Sequence, residues 1–279
     1  MTFVARGASR ADSADAAITP PPSPSVWKWL GSRIATFCLA EIQKIRHDRT
    51  ELLTRAIQPA LWLLIFGETF DRLHAIPTGH IDYLDFLTPG ILAQSGMFVA
   101  VFYGIQVIWE RDAGVLAKLL VTPTPRAALV TGKAFAASIR AFSQVIVILV
   151  LARILGVHFT ANPLLLVAAA LAVVLGSAFF ATLSLTIAGL AMTRERLMGI
   201  GQAITMPLFF ASNALYPVHL MPGWLQAVST VNPLSYEVDA LRGLLLGTPS
   251  HLGLDAAVLV GSTVLGIAVS SSLLRRLAS

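Results

Sequence analysis

Residues 162–192 contain no Asp, Glu, Lys or Arg and are mostly Leu, Ala and Val. A helix needs about 20 predominantly apolar residues to cross the hydrocarbon core of a bilayer, so this run specifies a membrane-spanning helix. The rest of the chain repeats the pattern with more interruption. Residues 86–109 hold no charge between Asp85 and Glu110, residues 197–216 hold none, and residues 254–274 carry only Asp255. Residues 134–157 have Arg140 near one end and Arg153 near the other. Residues 52–73 make a further span if Arg55 and Arg72 reach opposite interfaces along their aliphatic stems, although Pro59 and Glu68 interrupt the stretch. The expected fold is an all-α membrane protein with six transmembrane helices. Composition agrees: 56% hydrophobic residues, 13% charged residues and a mean hydropathy of +0.74 leave too few polar groups to cover a soluble domain.

Charge placement then orients these spans. Short cytoplasmic loops carry an excess of Lys and Arg. With both ends cytoplasmic, 17 of the 20 basic residues fall inside, leaving only Arg72, Arg153 and Arg242 elsewhere. The inside set is Arg6, Arg10, Lys28, Arg33, Lys44, Arg46, Arg49 and Arg55 before the first span; Arg111, Lys118, Arg126, Lys133 and Arg140 between the second and third; Arg194 and Arg196; and Arg275 and Arg276. The net charge of +5 therefore reads as a topology determinant, and no nucleic-acid partner is expected.

Residues 1–25 are rich in Ala, Ser and Pro and read as a disordered cytoplasmic tail, with residues 26–279 as one transmembrane domain. The tail has no basic start followed by an apolar core, so the spans themselves are expected to direct insertion. The single cysteine, Cys38, excludes an internal disulfide framework.

Three segments between the spans carry more information than the spans. Residues 26–49 alternate apolar and basic positions at helical spacing: Trp27, Leu30, Ile34, Phe37 and Ile45 share one face, while Lys28, Arg33, Lys44 and Arg46 fall mostly elsewhere. Such a helix suits the headgroup region, where Trp27 and Trp29 would anchor; packing on protein at the cytoplasmic side is the other reading. Residues 110–133 join the second and third spans. A simple turn would need only a few residues, so a connection of this length suggests a docking surface, with a short helix over residues 113–121 ended by Pro123 and Pro125. Residues 217–253 are too polar and proline-broken to span, and short helices at or dipping into the outer leaflet are expected.

Chemistry-bearing motifs are lacking. A phosphate-cradling loop needs GxxxxGK followed by Ser or Thr, but Gly132-Lys133 is followed by Ala134 and the first glycine position is Ala127. The six histidines, His47, His74, His80, His158, His219 and His251, show no paired spacing, so no metal site is expected. There is no serine nucleophile elbow and no acidic pair within a span, which leaves enzyme activity without a residue to rest on. Glu68, Arg140, Arg153 and Asp255 all lie near span ends, where snorkelling explains them as well as ion coupling does. Ser177, Thr182, Ser184, Thr186 and Gly189 read as helix-packing groups.

Glu110-Arg111-Asp112-Ala113-Gly114, followed by Leu119, Pro123 and Gly132-Lys133, resembles the cytoplasmic loop of type-2 ABC transporter permeases, E-R-x-x-G-x-x-x-x-L-x-x-x-P. Asn232-Pro233-Leu234-Ser235-Tyr236 with Asp239 and Arg242 is similar to that family's region before the last span. The resemblance covers roughly residues 27–276, and the permeases of daunorubicin-type drug exporters and of polysaccharide or lipo-oligosaccharide exporters are the relatives it suggests.

The resemblance implies the membrane subunit of an exporter in the bacterial inner membrane. Two permease chains, identical or homologous, would pack around a path, with two copies of an ABC ATPase beneath. ATP and Mg would be bound by that partner, with no cofactor in this chain. Glu110, Arg111, Gly114, Leu119 and Pro123 would form the coupling helix against the ATPase. Trp27, Trp29, Arg33 and Lys44 would belong to a gate-flanking interface helix. Asn232, Pro233, Tyr236 and Arg242 would mark an outer re-entrant region. Phe98, Phe102, Tyr103, Phe209 and Phe210 are candidate path-lining aromatics for an amphipathic, lipid-like, drug-like or glycan cargo, though each serves equally as helix-packing core. A stand-alone secondary carrier driven by an ion gradient and a non-transporting scaffold are the alternatives.

Overall fold

A computed structural model describes residues 26–47, 49–73, 76–78, 81–115, 126–191 and 193–278. The tail over residues 1–25 and the part of the expected coupling helix beyond Val115, with Leu119 and Pro123, lie outside the described residues, as do the side chains of Trp27, Trp29 and Arg33.

Among the described residues the chain is all helical. The helices are α1 (Val26–His47), α2 (Arg49–Leu61), α3 (Glu68–Leu73), α4 (Tyr83–Asp112), α5 (Arg126–Ile154), α6 (Pro163–Ala191), α7 (Arg194–Phe210), α8 (Gly223–Val231), α9 (Pro233–Leu246) and α10 (Leu252–Ala278). A π-helical segment, Trp62–Gly67, joins α2 to α3 without a break. Pro59 lies inside α2, and a proline there removes one hydrogen bond and presses on the preceding turn; the wider winding begins three residues later.

Among the described residues, four helices are long and apolar enough to cross a membrane: Tyr83–Asp112, Ala127–Ile154, Pro163–Ala191 and Leu252–Leu273. Their burial differs sharply. The apolar window of α4 is 78% buried and that of α10 only 17%, so α4 is the axis of the bundle and α10 forms its wall. Helix α6 packs on α4, α5 and α10, while α9 wedges between α4, α6 and α10.

The expected span over residues 52–73 corresponds to the α2–π–α3 rod. The one over residues 197–216 needs correction at its far end. Helix α7 stops at Phe210, where the Ala211 and Ser212 amides bond back to Pro207 and Phe209, and the following residues turn back into the bundle. The chain turns at Ala211, and Asn213 and Ala214 face inward beyond it.

Small residues permit this packing. Gly104 lies against Ser184 so closely that a Cβ would collide with the hydroxyl, and Gly90 meets the Ala214 backbone in the same way. The Gly104 amide donates to Ser184 Oγ at 3.0 Å, and that hydroxyl donates in turn to the Val101 carbonyl. Thr263 Oγ1 donates to Leu175 O at 3.0 Å and Ser270 Oγ to Thr182 O at 2.6 Å, stitching α10 to α6. In an apolar surround such bonds also satisfy groups that water cannot reach.

Candidate functional site

The Glu110-Arg111-Asp112 sequence closes α4 and ties three helices at one end of the bundle. Glu110 is half-buried and pairs with Lys133 of α5, whose ammonium is 3% exposed. Gln106 Nε2 donates to the same carboxylate at 3.4 Å, one turn earlier. Arg111 bonds Asp112 Oδ1 at 3.0 Å. Arg194, at the start of α7, reaches Asp112 Oδ2 at 3.3 Å and stacks over Trp109 with 4.7 Å to the ring centre. Gly114 follows with φ 71°, a conformation glycine adopts at little cost, and a Cβ there would meet nothing within 4 Å. Its local reason is the turn out of α4, with no close contact among the described residues.

Helix α1 packs along α5. Phe37 rests on Gly132, where a Cβ would clash, and Lys133 sits 5.9 Å over its ring. Glu41, 2% exposed, accepts from Arg140 Nε at 2.6 Å and pairs with Lys44 at 3.6 Å. Arg140 is thus held by a buried carboxylate rather than drawn out to an interface by its stem alone. These contacts support the packed-on-protein reading of α1, while Leu39 and Ile42 stay exposed on its other side. Burial, with Glu41 nearby, pushes the Cys38 thiol above its usual range.

A groove runs along α2. Its largest cavity, about 590 Å³, is lined by Lys44, Arg55, Gln106 and Arg140 together with Phe102, Tyr103 and Trp109. A second, about 270 Å³, shares Arg55, Val99 and Phe102 with the first. It adds four glutamines from four helices: Gln58, Gln94, Gln144 and Gln202. Phe98 and Phe102 stack with ring centres 6.2 Å apart and planes at 8°. Gln94 is 2% exposed, and its amide nitrogen bonds nothing among the described residues. A third cavity continues along Thr54, Gln58, Trp62 and Phe66.

Of the aromatics expected on a path, Phe98, Phe102 and Tyr103 line this groove. Phe209 does not: it is fully buried, edge-on to Trp62 at 5.9 Å. Phe210 is 43% exposed on the outside of α7. The glutamines and Glu41 were missed because they fall singly on different helices, with no spacing in sequence to connect them.

The outer motif holds α9 in place. Asn232 caps that helix by accepting from the Leu234 amide at 3.1 Å, and its Nδ2 donates to Leu208 O at 2.7 Å. Pro233 occupies the first turn, and Tyr236 Oη donates to Thr230 O at 2.6 Å. Arg242 is buried, donating to the carbonyls of Phe86 and Asn213 at 3.2 and 3.0 Å and standing 3.8 Å over the Phe86 ring. Burial lowers its pKa to about 10, so it remains a cation.

The bundle of long apolar helices is that of a multi-pass membrane protein. Residues 33–246 match the model of the ABC-2 type transporter family, and the chain belongs to that family. It is 32% identical over 211 residues to the putative transport permease ycf38 of Cyanophora paradoxa, covering 72% of this chain and 70% of that protein. It is 30% identical over 228 residues to nodulation protein J of Rhizobium meliloti (strain 1021), covering 81% and 86%. A third relative is the daunorubicin resistance ABC transporter permease protein DrrB1 of Streptomyces coeruleorubidus, 25% identical over 222 residues and covering 80% and 78%.

Proposed function

We propose that this chain is the membrane subunit of an ATP-driven exporter. It crosses the bacterial inner membrane six times, with both ends cytoplasmic, as one domain over residues 26–279 behind a cytoplasmic tail. The α2–π–α3 rod and α7 serve as the fifth and sixth crossings beside the four longer helices. Two such chains, identical or homologous, flank the path, and two copies of an ABC ATPase dock beneath and carry the ATP and Mg.

The observation that carries this reading is the charged knot at Glu110. Force from a docked ATPase has to enter through a cytoplasmic element, and Glu110, Asp112, Lys133 and Arg194 join the ends of α4, α5 and α7 into one unit. The 110–133 connection springs from that unit, so a push on it moves three helices together. The Glu110–Lys133 pair, held in partly dry surroundings, resists separation more than the exposed Asp112–Arg194 pair. The relatives' names, a transport permease and a daunorubicin resistance permease, support export, and an amphipathic, lipid-like, drug-like or glycan cargo suits the aromatic groove.

Co-expression with its neighbouring genes and co-purification provide the test. Recovery of a permease–ATPase complex is expected, and its persistent absence overturns the reading. Reversing Arg111 to Glu should lower cargo-stimulated ATP hydrolysis at least several-fold while the protein still inserts in the membrane. Unchanged coupling would remove Arg111 from the docking surface.

A further inference from the structure

We propose that Glu237 is a proton-binding site inside the bundle, holding an uncharged carboxylic acid while α9 is seated and releasing the proton when α9 withdraws. This inference goes beyond the export reading and depends on neither an ATPase nor a cargo.

Glu237 lies in the middle of α9 and is 0% exposed. Neither of its carboxyl oxygens has a hydrogen-bond partner among the described residues. Ser177 of α6 is also fully buried, and its hydroxyl is in the same condition. The two groups meet where glycines leave room for them. A Cβ on Gly96 of α4 would lie 2.9 Å from Ser177 Oγ and 3.9 Å from Glu237 Oε1. A Cβ on Gly176 of α6 would collide with Glu237 Oε2. The acid thus reaches into the α4–α6 seam against bare backbone on both sides.

An ionised carboxylate in such a place needs donors or a cation, and the elements packed on α9 supply neither. Helix α6 has no titratable side chain. Those of α4 are Tyr83, Asp85, Tyr103, Glu110, Arg111 and Asp112, all about two turns or more from Gly96. Helix α10 has Asp255 in its first turn and Arg275 and Arg276 near its end. On α9 itself, Tyr236 donates to Thr230 O, and Arg242 is committed to the Phe86 and Asn213 carbonyls. Asp239 stands two positions from Glu237, on another face of the helix. A proton needs only the carboxylate itself. A hard metal cation takes about six oxygens, and the seam offers two from Glu237 and one from Ser177.

The seat of α9 gives the proton its consequence. Asn232 fastens one end to Leu208 O and Arg242 the other to Phe86 O and Asn213 O, with Glu237 between them. Withdrawal of α9 brings the carboxyl to water, where it ionises at neutral pH. Seating the helix and binding a proton are therefore one linked equilibrium.

The full chain in detergent micelles carries the test. Infrared difference spectra between the wild type and Glu237→Gln at about pH 7 should show the C=O stretch of a neutral carboxylic acid lost in the variant. Loss of an ionised-carboxylate band instead overturns the proposal. Denaturant unfolding between about pH 5.5 and 7.5 gives a second readout. Above the ordinary carboxyl range the unfolded chain ionises and the seated form does not, so stability falls as pH rises. The ratio of wild-type to variant unfolding constants should then increase with pH, by up to about tenfold per unit. A flat or falling ratio overturns the proposal, because a purely structural side chain gives no slope. Glu237→Met is a second uncharged replacement of similar volume, and failure of both variants to fold also overturns it. Replacing choline chloride by sodium chloride should leave the wild type unchanged relative to the variants. Stabilisation of the wild type alone by sodium overturns the proton assignment in favour of a bound cation.

Discussion

Arg242 shows how a single position can be visible in sequence while its work is not. The residue stands out in sequence as one of only three basic groups that the expected topology leaves off the cytoplasmic side. Its burial against Phe86, and its bonds to the Phe86 and Asn213 carbonyls, depend on α9 being seated between α4 and the turn after α7. Replacing it by Met removes one donor from each of two carbonyls and a ring–cation contact. A loss of about 2–4 kcal/mol is expected, read from denaturant unfolding in detergent. Arg242→Lys should recover less than half of this, because an ammonium cannot lie flat on the Phe86 ring as the guanidinium does. Phe209 marks the opposite case. Its type and position suggested a path, but packing against Trp62 turned it inward.

At the scale of elements, hydrophobic runs located helices well and helix ends poorly. The uncharged stretch over residues 162–192 became α6, and residues 86–109 became the core of the longer α4. The end of α7 escaped because Asn213 and Ala214 are neutral and small, and only the bundle draws them inward. Glycines divide in the same way. Gly90 and Gly199 look alike in sequence, yet a Cβ at Gly90 would strike the Ala214 backbone and one at Gly199 meets nothing within 4 Å. Gly90→Ala should therefore destabilise the protein by about 1–3 kcal/mol through overpacking. Gly199→Ala should be neutral or stabilising by up to about 1 kcal/mol, from helix propensity. Parallel thermal unfolding of the two variants is the check, and equal effects would mean that α4 and the turn after α7 do not meet as described.

The whole molecule makes a claim about sidedness. With Cys38 replaced by Ser, a cysteine at Val231, 76% exposed at the end of α8, should react with a membrane-impermeant maleimide in intact cells. A cysteine at Glu195, at the start of α7, should react only after the inner face is opened. The reverse pattern would invert the topology. Cys38 itself should react slowly at neutral pH. Its thiol pKa is raised, so the thiolate is depleted below that pKa and accumulates only as pH rises through it; alkylation should therefore accelerate with increasing pH.

Sequence alone determined that this chain is an α-helical membrane protein and, through two short motifs, which family it resembles. Both rest on local properties: the length of an apolar run against bilayer thickness, and residue types at fixed spacing. Tertiary structure decided what those residues touch. It paired Glu41 with Arg140 across 99 positions and Glu110 with Lys133 across 23. It also gathered Gln58, Gln94, Gln144 and Gln202 from four helices around one cavity. No spacing rule connects residues on separate helices, because their meeting is set by how the helices cross, and small groups such as Gly104 and Ser184 fix those crossings.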